Sequence, residues 1–183
     1  ASFAPTDGRL VIAAIATSSA ACTAVSLSGG GVTTWTEFAT LAHGTDTNQR
    51  KIWLSRAYQA SYGAAAAVTI TATSATSTAW IIFDVAGIDT SGTNGSGAIV
   101  QTPTNTGTTE VTATVTLASF GDATNNGAFG FVNQRPNSAT GIIEEVGYTE
   151  IGDQSATAPG HTLEAEWKIG EDLAVTATLV TPT

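Results

Sequence analysis

Val111-Thr112-Ala113-Thr114-Val115-Thr116-Leu117 alternates apolar and hydroxyl side chains without a break. A period of two puts Val111, Ala113, Val115 and Leu117 on one strand face and the three Thr residues on the other. β-branched residues suit the pleat, and the stretch holds no helical period. The same reading extends outward. Val68-Thr69-Ile70-Thr71-Ala72-Thr73 repeats the alternation. Leu10 to Ile15 and Trp80 to Val85 are apolar on both parities, as in strands covered on both faces. Residues 32–41, 52–58, 128–132, 146–151, 161–169 and 173–180 also read as strands. Gly29-Gly30-Gly31, Asn94-Gly95, Gly121-Asp122 and Asn126-Gly127 supply the turns. The expected fold is all-β, a jelly-roll β-sandwich built from two interleaved Greek-key halves in one domain over residues 1–183.

Composition narrows the function classes. Of 183 residues, 33 are Thr and 31 Ala, and charged residues make up 11%, less than half the usual share. Six Lys+Arg against fifteen Asp+Glu argue against a nucleic-acid binder. No apolar run reaches the length of a membrane helix. Cys22 stands alone, so no disulfide framework exists, and its small neighbours suit a buried apolar thiol. Leu10 to Ala16 reads as a first strand rather than a secretory leader, and a lone Cys suits assembly in a reducing cytoplasm.

The two halves echo one another. Leu10 to Ala16 matches Ala128 to Asn133, and Trp35-Thr36-Glu37-Phe38 matches Tyr148-Thr149-Glu150-Ile151. Leu54 to Tyr58 then matches Leu163 to Trp167, and Val68 to Thr71 matches Val175 to Thr178. The order is kept while the loops differ, which points to a repeated supersecondary unit.

Chemistry-bearing motifs are scarce. G-x-S-x-G, H-E-x-x-H, Walker and CxxC patterns are all missing, and Gly29-Gly30-Gly31 has no Lys or helix after it to cradle a phosphate. His43 and His161, with Asp46 or Asp153, are too few to define a triad and read as exposed loop histidines rather than a metal pair. Glu164 and Glu166 share a strand face, and Glu144, Glu145, Glu150 and Asp153 lie nearby. Such carboxylates would suit a glycosidase, and solvated edge charges explain them as well. Asp84 interrupts the most apolar strand and needs a partner. Arg56 is the expected partner in a structural salt bridge, with Lys168 as the other cation and a Ca²⁺ site as a second reading. The four Trp residues read as core, with Trp35 and Tyr148 as the candidate ligand aromatics. No cofactor and no catalytic residue is expected.

The series Leu10 to Ala16, Thr34-Trp35-Thr36, Ile52 to Tyr58, Val68 to Thr71 and Phe83-Asp84-Val85-Ala86-Gly87-Ile88 resembles jelly-roll domains of tailed-bacteriophage structural proteins and of some bacterial surface proteins. The resemblance covers residues 8–90 well and the second half loosely. It implies a non-enzymatic virion protein, such as a capsid decoration or tail-associated component. Its partners would be the major capsid or tail protein, with a trimer as the natural oligomer. Carbohydrate-binding modules share this architecture, so a glycan is the alternative partner.

Overall fold

The computed structural model describes residues 2–45, 49–107, 111–135 and 141–179. Asp46, Glu110, Val180 and the turn residues 136–138 lie outside them. Among the described residues, twelve strands form four antiparallel sheets. They are β1 (Ser2–Phe3), β2 (Leu10–Ser18), β3 (Val25–Gly29), β4 (Thr36–His43), β5 (Arg50–Tyr58) and β6 (Ala66–Ala72), followed by β7 (Ser77–Val85), β8 (Thr112–Thr116), β9 (Gly127–Gln134), β10 (Thr149–Thr157), β11 (Gly160–Ile169) and β12 (Ala174–Thr178). The sheets run β1-β6-β3, β4-β5-β2-β7, β10-β11-β9 and β12-β8.

These sheets stack as four layers. Ala13, Ile15 and Trp53 of the second layer pack on Val25, Leu27 and Ile70 of the first. Ala14, Ala16, Ala79 and Ile81, from the opposite face of the second layer, pack on Leu163 and Ala165 of the third. Ala128 of the third layer meets Val175 of the fourth beside Tyr148. All nine residues of β2 are buried, which explains why Leu10 to Ile15 is apolar on both parities.

The all-β sandwich is as expected, but the halves do not interleave. Among the described residues, strands of residues 2–85 pair among themselves, and so do strands of residues 112–178. Each half closes its own ladders through short connections, and the halves meet face to face. The sequence echo corresponds to this division. The order β4-β5-β2 in one sheet matches β10-β11-β9 in the other. The β3–β6 pair is matched by a bridge from Ile143 to Thr178 of β12. Both halves carry an irregularity at the same place, between Glu37 and Ala39 and between Glu150 and Gly152. The ladders correct one detail. Beyond the irregularity Ala39 pairs with Leu54 and Gly152 with Ala165, so Leu54 corresponds to Ala165 rather than to Leu163. A shift of two residues leaves every side chain on its face. Strand β3 has little mark in the sequence, because Ser26, Ser28 and Gly29 leave only Val25 and Leu27 to signal it.

Candidate functional site

The register of the second half concentrates its acids. β11 lies between β9 and β10 in the third layer. Its Glu166 stands opposite Glu150 and Gly130, and its Glu164 opposite Asp153 and Val132. Residues opposite one another share a face, so Glu150, Asp153, Glu164 and Glu166 all point toward the fourth layer. The segment Gly141 to Tyr148 lies against this face. The Ile142 N–H donates to Asp153 Oδ2 at 3.0 Å, and the Glu145 N–H donates to Glu166 Oε2 at 2.8 Å. Glu145 Oε2 in turn accepts the Thr176 N–H of β12 at 2.6 Å. Carboxylates thus clamp the segment to the sheet on one side and to β12 on the other.

Glu164 and Glu166 are 0% exposed. Both oxygens of Glu164, Oε1 of Glu166 and Oδ1 of Asp153 lack a hydrogen-bond partner. Burial pushes the Glu164 carboxyl up to about 9, with the carboxyls of Glu166, Asp153, Glu150 and Glu144 adding to the shift. Burial likewise raises Glu166 to about 7 and Asp153 to about 6, against the backbone N–H that each accepts. The Tyr148 hydroxyl is raised too, by burial and then by Asp172, Glu145 and Glu166. Lys168 sits at the rim, 5.6 Å from the Tyr148 ring centroid and 2.8 Å from Asp172 Oδ2. No cation is among the causes of the shifts of Glu164, Glu166 or Asp153, so burial and mutual repulsion favour the protonated form of each, most strongly for Glu164. Among the described residues, no group of three Asp, Glu, His or Cys side chains is arranged to hold a metal ion.

This placement corrects the reading of Glu164 and Glu166 as solvated edge charges, because β11 is a central strand covered by the fourth layer. In register, Glu164 corresponds to Trp53 and Glu166 to Ser55, and both of those are buried.

Other expected pairings are redrawn. Asp84 does not meet Arg56. Asp84 stands opposite Val11 and Arg56 opposite Ile12, successive residues of β2 that face opposite sides. Asp84 instead takes Arg9 at 3.1 Å and the Thr6 N–H at 2.8 Å, which outweigh its burial and hold its carboxyl below the usual range. Arg56 donates from Nε to the Asn94 carbonyl at 3.1 Å and covers the Phe38 ring. Trp35 is half-buried against Val11 and Ile15, and its indole N–H donates to the Gly29 carbonyl at 3.4 Å. Tyr148 is buried beside Ala128 and Val175. Neither aromatic forms a surface platform for a sugar. His161 is buried in β11 beside Ser77 and Pro159, and desolvation lowers its pKa. His43 ends β4 opposite Arg50, so the two histidines do not occupy equivalent loops. Cys22 is fully buried, as expected.

The outermost layers carry a different chemistry. Ser26, Ser28, Thr69 and Thr71 are exposed on the first layer, and Thr112, Thr114, Thr116 and Thr178 on the fourth. Both outward faces are hydroxyl surfaces without a charged residue in their strands. No family model, curated protein or solved structure matches this chain.

Proposed function

We propose that this chain is a non-enzymatic structural protein of a phage virion, docked on the capsid exterior or the tail. The observation that carries this reading is the pair of flat hydroxyl faces at the two ends of the layer stack. A Thr strand keeps β propensity without the charge that normally keeps sheets apart in solution. Contact with a neighbouring subunit then costs little desolvation of ions. The sealed acids support the same reading, since a hydrolase needs its carboxyl pair open to substrate and Glu164 and Glu166 are 0% exposed.

Mass spectrometry of purified virions tests this directly. Hundreds of copies per particle would mean a shell-wide role, and a handful a tail or vertex role. Absence from virions overturns the proposal. The face itself is tested with Thr69→Lys/Thr71→Lys, which changes exposed side chains only. The variant is expected to keep its melting temperature and lose its binding to particles that lack the chain.

A further inference from the structure

The two halves do not close against each other everywhere. Beside the contact of Ala14 and Ala16 with Leu163 and Ala165, an open cleft of about 1190 Å³ runs along β9, lined by residues of the second and third layers and by Ala113, Val115, Val175 and Ala177 of the fourth. Its floor is Leu41 of β4, Ile52 and Leu54 of β5, and Phe83 of β7; its roof is Phe129 and Phe131 of β9. Phe83 stacks on both roof rings, with centroids at 5.8 and 6.3 Å. The volume exceeds that of most small-ligand pockets.

One end of this apolar space holds polar groups without partners. Arg50 lines the cavity, and the period of two places it on the same face as Ile52 and Leu54. It is 2% exposed. Its Nη1 and Nη2 donate to the carbonyls of Gln49 and Gly160 at 3.0 and 3.1 Å, while Nε has no partner. Among the described residues the ion pairs are Arg9–Asp84 and Lys168–Asp172, so no described carboxylate pairs with Arg50. Burial, and then the cation Arg135, which also lines the cavity, lower its pKa. Asn133 lines it as well, and its amide nitrogen and oxygen are both buried and unpartnered. Gly160, which Arg50 holds, is three residues from Leu163, the ladder partner of Asn133. Gly160 and Leu163 are about 10 Å apart along β11, so Arg50 and Asn133 lie toward the same end. Of the acids in the lining, Asp84 and Asp89 lie at the far end, and Glu150 is exposed.

A buried guanidinium without an anion is costly, and buried amides are almost always paired. An anionic head at this end would offer acceptors to Arg50 Nε and to the Asn133 amide nitrogen. The apolar floor and roof call for a hydrocarbon body on that head. We propose that the cavity binds a free long-chain carboxylate, its head at Arg50 and Asn133 and its alkyl chain between Leu41, Ile52 and Leu54 below and Phe129 and Phe131 above. This site is separate from the docking faces and stands or falls without them.

The test is calorimetric titration of the full chain with decanoate and, separately, with decanol. Decanoate is expected to bind saturably, one per chain, and more tightly than decanol. Arg50→Gln should weaken decanoate by roughly tenfold or more and leave decanol unchanged, since a charge-assisted hydrogen bond is removed. Should Arg50→Gln fail to fold, exposed Arg135→Gln is expected to weaken decanoate by about threefold with unchanged circular dichroism. Ile52→Trp should abolish binding of both. Binding of inorganic phosphate in competition with decanoate would mark a simple anion site and overturn the alkyl assignment. Equal affinity for decanoate and decanol, or no binding of decanoate, overturns the proposal.

Discussion

The two halves share a topology and differ in what they bury. In the first half, Ile15 faces Trp53 and Ala13 faces Ser55. In the second, Val132 faces Glu164 and Gly130 faces Glu166. One layer is a hydrocarbon core with Leu27, Ile70 and the Trp53 indole, whose N–H donates to Thr17 Oγ1 at 3.0 Å. The other holds carboxyls clamped to backbone N–H groups. The same ladders, with the same irregularity, therefore tolerate two opposite interiors. Backbone hydrogen bonding sets the fold, and the side chains decide the conditions under which each half is stable.

The sharpest way to separate the halves is pH. Asp153, Glu166 and Glu164 are held near 6, 7 and 9, above ordinary values of 3.8, 4.5 and 4.5. An acid raised in the native state contributes its full stability below its unfolded pKa and loses it as pH rises through the native one. The second half should therefore weaken as pH rises toward 9, by several kcal/mol and most clearly above pH 6.5, because below that value His161, whose pKa burial lowers from 6.5, acts in the opposite sense; a tenfold change in proton affinity corresponds to about 1.4 kcal/mol. Asp84 and Asp172, held low, act only below this window. Hydrogen exchange should show β10, β11 and β12 opening first at pH 9, and Glu164→Gln should flatten the profile. A melting temperature constant from pH 5 to pH 9 would contradict this account. Trp53→Ala, at the matching position of the first half, should cost about 3–5 kcal/mol by denaturant titration, with no such pH dependence.

A smaller effect tests the register itself. A Cβ on Gly130 would lie 2.6 Å from Glu166 Oε1 and 2.9 Å from Val175 Cγ1. Gly130→Ala should cost about 1–3 kcal/mol from overpacking. Adding Glu166→Ser transplants the Ala13–Ser55 pair of the first half, and thermal unfolding should recover most of the loss. The smallest effect belongs to the half-exposed Arg9–Asp84 pair, where Asp84→Asn should cost about 1 kcal/mol or less. A larger loss would mean that the Thr6 N–H bond, not the ion pair, anchors the chain start.

Most strands were legible because Val, Ile and Thr alternate across them, and because β2, covered on both faces, is apolar throughout. The repeat was legible through Trp35-Thr36-Glu37-Phe38 and Tyr148-Thr149-Glu150-Ile151, which flank the irregularity on both sides. The partner of Asp84 was not, since choosing between Arg9 and Arg56 requires knowing that Asp84 and Arg56 face opposite sides of one sheet. Nor was the burial of Glu164 and Glu166. Period-two reasoning puts them on one face but says nothing of the layer that covers it. Arg50 escaped notice for a related reason, because a charge at the start of a strand reads as solvated until the third layer is placed above it.

The faces that meet at the centre of the stack are equivalent ones. Ala14 and Leu54 of one half correspond in register to Phe131 and Ala165 of the other. The molecule is thus organised like a two-fold dimer whose protomers are joined in one chain. In a true homodimer every substitution appears twice, so a gap opened on one face opens on its mate, and an acid buried in one core is buried in both. Covalent linkage lifts that rule. One copy can keep a hydrocarbon interior and hold the assembly together across a wide pH range. The other is then free to hold protons, and the seam between them need not be symmetric.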